Sequence, residues 1–375
     1  MVVVLNNVEL QRLLPAQAVL DAIRHAYVEL ARGRAVNRPR SDLWMSDTSN
    51  SPDDAESKTA YVLKSFEGAV ADLDVAALRL NSDIIKWTRN EAGLRKDKVP
   101  LAPGNRYNGL ILLFSSRTGE LLAIMPDGYI QGLRVAATTA VAAEQLSRAD
   151  SKTVALYGSG WQAQAALEML RLVRSLEEVR VFSPNPRNRL AFSTEMSAQL
   201  EIPVRAVDEP QAAAADADLV LAATNSVTPV VRRAWVAEGS HVSCVKYLEF
   251  PPDLIADADP AIINTRTHAP INYIMGQRDP VMAHDPSFDG EDGAKDRLTP
   301  YDNAGLDFGR LPELTEVMAG TVSGRTSSSQ TTCFLNNIGL GIQFVAAAKV
   351  AYDNAVAQGV GQRLPADMFS QTFHP

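Results

Sequence analysis

The apolar positions of this chain keep two different periods, and the change between them falls at Leu133. Before it, Leu20, Ile23, Tyr27 and Leu30 recur at helical spacing, with Gly33 placed to end that helix. A basic, proline-containing stretch, RGRAVNRPR, follows and ends at Arg40, and residues 47–58, DTSNSPDDAESK, read as a solvated loop. Strand-like segments come next: AYVLKSF, DVAALRLNS, and a pair, GLILLFSS and ELLAIM. SRTGE joins the last two, and its Gly119 suits a hairpin turn. Residues 85–108 are basic and read as a loop.

From Leu133 onward strand and helix alternate. RVAATTAVAAEQLSR predicts an alanine-rich helix, KTVALYG an apolar strand and WQAQAALEMLRLV a helix. EVRVFS, RLAFSTEMSAQL, PVRAV, LVLAATN and HVSCV continue the series. Strands that are apolar throughout, joined by helices, predict a parallel sheet covered on both faces, so the fold class is α/β. Residues 276–310 are rich in Asp and Gly, have no period, and read as an inserted surface loop; a last helix is expected from about Leu340 to Ala357.

Composition narrows the function. The 375 residues suit two domains, and 46% hydrophobic with 21% charged residues is ordinary for a globular protein. Forty-four acidic against 36 basic side chains give a net charge of -8, which repels phosphate backbones and argues against a nucleic-acid partner. Cys244 and Cys333 stand alone, with no CxxC spacing, as expected in a reducing compartment. MVVVLNNVELQRLLP has neither a basic start nor a cleavage site, and no apolar run approaches a bilayer-spanning length. The expectation is a soluble, cytoplasmic protein with no membrane partner.

VALYGSGWQAQA sets Gly158, Gly160 and Ala163 in a G-x-G-x-x-A pattern. Such a pattern also occurs in ordinary turns, but here it closes a strand and opens a helix, the context of a dinucleotide-binding turn. Gly158 would allow the tight turn, Gly160 the approach of a pyrophosphate, and Ala163 close packing of helix on strand. The helix N-terminus would offer free N–H groups to the phosphates. After the second strand an NAD enzyme usually carries an acid for the ribose hydroxyl. Here Ser183 stands there, with Arg187 and Arg189 beyond it. A hydroxyl and guanidinium groups suit a 2′-phosphate, so NADP(H) is expected in preference to NAD(H).

QGLRVAATTAVAAEQLSR running into KTVALYGSGWQAQAALEML resembles the ornithine cyclodeaminase/mu-crystallin family. So do ELQRLL, the helix ending LARGRA before PR, and the terminal TTCFLNNIGLGIQFVAAAKVAYD. The likeness is weaker over 50–108 and poor over 270–310. It implies a Rossmann-type domain, residues 134–334, and a second α+β domain from both chain ends, 1–133 and 335–375, that also forms a homodimer. It implies NAD(P)-dependent chemistry at the Cα–N bond of a small amino or imino acid, as in cyclodeaminases, alanine-type dehydrogenases and ketimine reductases.

Carried onto this sequence, the resemblance implies that Arg40 of the PR motif and Arg134 bind the substrate carboxylate. A family lysine falls at Arg79, which keeps the cation and loses the titratable amine; Lys64 of YVLKSF would restore one. Thr224 and Asn225 match contacts to the nicotinamide half, and Asn337 and Ile338, before Gly339, match the segment lining the substrate pocket. Val135, Ser159, Trp161, Gln162 and Val245 complete the expected cofactor contacts, although Trp161 also reads as a packing residue. One departure stands out. Cyclodeaminases carry an aspartate where VKYLEF puts Leu248, with Glu249 beside it, and a neighbour on a strand faces the other way unless a bulge re-aims it.

Imine reduction needs a placed hydride, a cationic clamp for the carboxylate, and a proton near nitrogen. Arginine suits the clamp because its fork pairs bidentately. A lysine in a cationic pocket has a lowered pKa, which makes Lys64 the candidate acid/base, with Arg79 and Glu249 beside it in the candidate catalytic set. The plainer reading of Lys64 is a surface lysine on an edge strand. His25, His241, His268, His284 and His374 are scattered without metal-ligand spacing, and DPSFDGEDGAKD lacks the order of a calcium loop, so no metal is expected. The expected function is an NAD(P)-dependent oxidoreductase on a C–N bond. The alternatives are a cyclodeaminase-type lyase and, in another class, a crystallin-like protein that binds NADP(H) without turnover.

Overall fold

In a computed structural model, which describes residues 1–46, 57–90, 93–226, 228–267, 270–282 and 306–373, the alternating segments of the first half build one large sheet. Its strands are β1 (Val2–Val4), β2 (Ala35–Ser46), β3 (Ser57–Val70), β4 (Val75–Asn90), β5 (Gly93–Val99), β6 (Asn108–Ser115) and β7 (Leu121–Pro126), with β14 (Ile271–Ile274), β15 (Val281–Met282) and β17 (Gln362–Leu364) added from later in the chain. The order is β15-β14-β2-β3-β4-β6-β7-β1-β17, and β5 pairs with the far half of β4. The β6–β7 hairpin turns at Gly119, as the sequence predicts.

Residues 85–99 are not the loop expected, although 100–107 form turns. β4 runs on to Asn90 and β5 folds back on it, because Ile85 and Trp87 continue the alternation through the basic residues. Both are buried with Trp44, Ala60 and Val62, the indoles of Trp44 and Trp87 lying 5.7 Å apart. Of the loop expected at 47–58, Ser57 and Lys58 open β3 and the rest lies outside the described residues. Residues 271–282, expected within the dinucleotide-binding unit, also differ: β14 lies parallel to β2 and gives that strand's open edge a partner. Most of the remaining 276–310 stretch, including DPSFDGEDGAKD, lies outside the described residues.

The second sheet is wholly parallel: β8 (Thr153–Tyr157), β9 (Glu178–Phe182), β10 (Val204–Ala206), β11 (Leu219–Ala222), β12 (His241–Cys244), β13 (Ala261–Ile263) and β16 (Thr332–Leu335), in the order β10-β9-β8-β11-β12-β16-β13. The direction of winding reverses between β8 and β11, where ligands of such sheets bind. Nine α-helices accompany the sheets among the described residues: α1 (Asn7–Leu13), α2 (Ala16–Ala31), α3 (Gly128–Leu146), α4 (Trp161–Leu170), α5 (Pro186–Leu200), α6 (Pro210–Ala214), α7 (Pro252–Ala256), α8 (Leu314–Met318) and α9 (Gly341–Gln358).

The predicted helical spacing in α2 buries Leu20, Ile23 and Tyr27 against α3 and α9, and leaves Leu30 partly exposed. Helix α3 begins at Gly128, before the Leu133 read from the sequence, anchored by buried Ile130. Helix α9 lies across the inner face of β3 and β4, where Phe344 meets Phe66 at 5.4 Å. Helices α3 and α9 thus stand between the two sheets' chemistry. Among the described residues no helix is long and apolar enough to cross a membrane.

Candidate functional site

The glycine turn sits at the carboxyl end of β8, beside the reversal in winding. Gly158 has φ +110°, and a Cβ there would lie 2.3 Å from the Ala223 carbonyl oxygen, so only glycine lets the turn pass this close to the end of β11. Gly160 precedes α4, and a Cβ built on it meets nothing within 4 Å. The first internal bond of α4 runs from the Gln164 N–H to the Gly160 carbonyl (3.1 Å), so the first-turn N–H groups have no helix partner. Ser159 and Gln162 flank this opening, half-buried, and Ala163 is fully buried against the sheet. A pyrophosphate fits this cradle on backbone grounds alone.

Trp161 is exposed on one side and packs the other against Gly132 of α3, where a Cβ would lie 2.3 Å from the indole. Val135, one turn further along α3, is nearly buried. Ser183 closes β9 and is buried, and Arg187 is exposed on the first turn of α5. Arg189 departs from the expectation. It turns inward, donating to the Ser183 carbonyl (3.0 Å) and pairing with Asp208, so it has a partner already.

Thr224 and Asn225 follow β11, and Val245 follows β12. What fastens them is Glu249. One carboxylate oxygen accepts from the Thr224 N–H (2.6 Å) and hydroxyl (2.7 Å), the other from the Val245 and Lys246 N–H groups (3.0 Å each). Residues 247–249 form a short 3-10 turn and not a strand, so the expected alternation does not apply. Glu249 is fully buried, and burial pushes its carboxyl above the usual range against the pull of those donors. Expected as a candidate catalytic acid, it is instead a tie between the two loops. Leu248 packs at the edge of an apolar cluster.

The other charged candidates share the inner face of the first sheet, because alternation puts Arg40, Asp42, Lys64, Arg79, Asn81 and Asp83 on one side. Pro39 has no N–H for the ladder, the β2–β3 register shifts between Arg38 and Ser41, and Arg40 lies within the irregularity. Arg40 pairs bidentately with Asp42 at 2.8 and 2.5 Å. Lys64 Nζ donates to Asp83 (2.8 Å), which also holds Lys98 of β5 at 2.9 Å. Burial, and then Arg40, pull the Lys64 pKa down from 10.5 to about 8, against Asp83 holding it up. Arg79 donates through Nε to Asp127 (2.7 Å) and through Nη2 to Asn81 Oδ1 (2.6 Å).

Arg134 differs from all of these. It is buried on α3, and among the described residues no carboxylate pairs with it. Its Nη1 donates to Gln343 Oε1 (3.0 Å), its guanidinium lies 5.0 Å from the Phe344 ring, and its Nε has no partner. Burial first, then Arg79, lower its proton affinity. Gly339 makes the room, since a Cβ there would lie 2.2 Å from Nη1.

A polar network that was not legible in the sequence runs outward from the Gln343 that holds Arg134. Gln343 Nε2 donates to the Tyr27 hydroxyl (2.8 Å) and Thr138 (2.7 Å), and Tyr27 donates to Asn264 (2.5 Å). Asn264 in turn donates to the Ile338 carbonyl (2.5 Å). Asn337, expected in the pocket wall, has its amide occupied by the backbone of Thr265. Tyr27 and Gln343 read as core-facing positions of two helices, and nothing in their spacing marks them as partners. Asp42 and Asp83 carry no signal beyond a polar residue in an apolar strand, and Asp127 none beyond a polar residue before a helix.

His241 is buried with Nδ1 on Thr332 (3.0 Å), and His25 pairs with Asp72 (2.8 Å); His268, His284 and His374 lie outside the described residues. His25, Glu29 and Asp72 bring ligand atoms within 4.8 Å of one another, but Glu29 is already paired with Arg34 and Arg32.

The sequence profile of the ornithine cyclodeaminase/mu-crystallin family matches residues 86–249 and 304–359. A candidate dehydrogenase of Rhizobium meliloti is 32% identical over 68% of this chain and 72% of its own length. A delta(1)-pyrroline-2-carboxylate reductase of Bacillus cereus is 27% identical over 71% of this chain and 78% of its own. Among solved structures, the delta(1)-pyrroline-2-carboxylate reductase of Thermococcus litoralis, in complex with NADH and L-proline, shares the fold. It covers 96% of this chain with 100% of its own, at a TM-score of 0.73 and 23% identity.

Proposed function

Since the chain belongs to the ornithine cyclodeaminase/mu-crystallin family, we propose that it is a nicotinamide-dependent oxidoreductase that reduces the C=N bond of a small α-imino acid, or runs the reverse oxidation. The observation that carries this reading is Arg134: a buried guanidinium with, among the described residues, no carboxylate partner is costly unless an anion arrives to meet it. A protein that only held the dinucleotide would have no use for it. The related reductase and dehydrogenase names point the same way.

The dihydronicotinamide, when bound, supplies the hydride. Arg134 would take the substrate carboxylate on its free edge, with Arg40 beside it through the N–H groups Asp42 leaves open. Lys64, with its lowered pKa, is suited to hand a proton to nitrogen as the C=N electron pair moves there. One imine, one hydride and one proton give the amine. We propose NADP(H) over NAD(H), because Ser183 and Arg187 stand where an acid would reject a 2′-phosphate. We propose the two sheets as the cores of two domains, the first drawing on both chain ends. A homodimer through the outer face of the first sheet fits the exposed Leu43, Met45 and Tyr273 on neighbouring strands, with exposed Met275 just beyond; a single-subunit mass by light scattering at micromolar concentration would count against it.

The deciding experiment mixes the purified protein with NADPH, α-keto acids and ammonium or methylamine, and follows dihydronicotinamide absorbance. Consumption that needs both keto acid and amine is the expected result. Ornithine turned into proline and ammonia, with catalytic cofactor and no net consumption, would replace this reading with cyclodeamination. Tight NADPH binding without any turnover would leave the crystallin-like alternative.

A further inference from the structure

The charges around the pocket do not cancel. Arg40 and Asp42 neutralise each other. Of the rest, Lys64, Lys98, Arg79 and Arg134 stand against Asp83 and Asp127, so among the described residues four cations face two carboxylates. The surplus sits in two places. One positive charge is Arg134. The other belongs to the pair of lysines that share Asp83.

These two places lie along one connected path. Arg134 and Arg79 stand over the same Phe344 ring, at 5.0 and 5.4 Å. Arg79 donates to Asn81 Oδ1 (2.6 Å), and Lys98 Nζ reaches the same oxygen at 3.4 Å. The step from Arg79 to Asn81 is one i to i+2 advance along β4, roughly 6–7 Å. A single carboxylate on Arg134 leaves the lysine pair without its second anion, and a second carboxylate on the same molecule would supply it.

We propose that Lys98, with Lys64 behind it, forms a subsite for a second anionic group on the substrate, so that the enzyme works on a 2-imino or 2-amino dicarboxylate. This rests on the reading of the site as an imine reductase and adds to it the class of side chain. Lys64 is nearly buried and Lys98 is half-exposed at the end of β5, so the outer lysine meets the incoming group while the inner one stays near the reacting nitrogen. Asp83 holds both ammonium groups at hydrogen-bond distance, which sets their positions without matching their charge. The hairpin of β4 and β5 is what brings Lys98 here, and its basic residues are the ones that had read as a loop.

The test compares oxaloacetate and 2-oxoglutarate with pyruvate and 2-oxobutyrate, each with ammonium and NADPH, in the wild-type protein and in K98Q and K98R. The expected result is a kcat/KM at least about tenfold higher for one dicarboxylate than for pyruvate, the scale of one desolvated charge contact. K98Q should lower that ratio mainly through the KM for the dicarboxylate, and K98R should restore most of it. A ratio near one in the wild-type protein, or an unchanged ratio in a folded K98Q, would overturn the subsite while leaving imine reduction in place. No keto acid consumed with any amine would instead strike the underlying reading.

Discussion

The dinucleotide cradle and the charged face are built in opposite ways. The cradle is backbone: a glycine at φ +110°, an open glycine before α4 and the N–H groups of one helical turn, all within a few residues of sequence. The charged face is side chains: Arg40, Lys64, Arg79, Asp127 and Arg134 come from β2, β3, β4, the start of α3 and α3 itself. On the proposed reading, what would bind a common cofactor is local and tolerates little change. What would select a substrate is distributed, and it can be altered one residue at a time.

The sharpest way to break this contrast is Gly158→Val. The new side chain meets the Ala223 carbonyl in a backbone region that β-branched residues avoid, so nucleotide binding should vanish from a fluorescence titration. Binding retained at wild-type affinity would mean that the cradle is not where the dinucleotide sits. Next in size is Arg134→Ala, expected to cost about a hundredfold or more in kcat/KM, as loss of a buried charge contact does. Cofactor affinity should stay unchanged, and Arg134→Lys should recover only part of the loss. Equal losses in both measurements would join the two regions into one.

A smaller effect separates Lys64 from its neighbours. Its folded pKa of about 8 lies below the ordinary 10.5, so below pH 8 the lysine is charged in both states and the burial cost is present in full. Between about 8 and 10.5 the unfolded chain binds more protons, and stability rises with pH across that window. Melting temperatures of the wild-type protein relative to K64M should show this rise. In the same range kcat/KM for reduction should fall as the proton is lost. A flat profile through pH 8 would remove Lys64 from proton transfer. The smallest effect is expected for Arg187→Asp, a shift of about tenfold in relative affinity toward NADH; no shift would show that the exposed guanidinium does not reach the ribose.

How far each region could be read from sequence follows from the same contrast. Gly158, Gly160 and Ala163 lie within six residues between a strand and a helix, and the parallel sheet around them came out as the apolar runs predicted. Lys64 and Arg134 could be named, yet their partners could not. Asp83 is nineteen residues from Lys64, and Gln343 is 209 from Arg134; only the register of β3 on β4 and the seat of α9 on the first sheet bring them together. The pairing of β4 with β5 was hidden because charged residues alternate with Ile85 and Trp87, and charge outweighed period. Glu249 was misjudged for the reverse reason: a strand register was extended into what is a 3-10 turn.

The placing of β16 has a consequence for how the molecule is made. This strand lies between β12 and β13, yet it follows β13 by some seventy residues (Ile263 to Thr332). Until β16 is made, β12 and β13 lack the strand that lies between them in the finished sheet, and their facing edges have no partner. Filling the gap is a non-local and hence slow event. The chain that fills it runs straight into α9, which carries Gln343 to Arg134. The segment that completes the parallel sheet therefore also brings the side chain that holds Arg134, so sheet and proposed clamp depend on the same late stretch of chain.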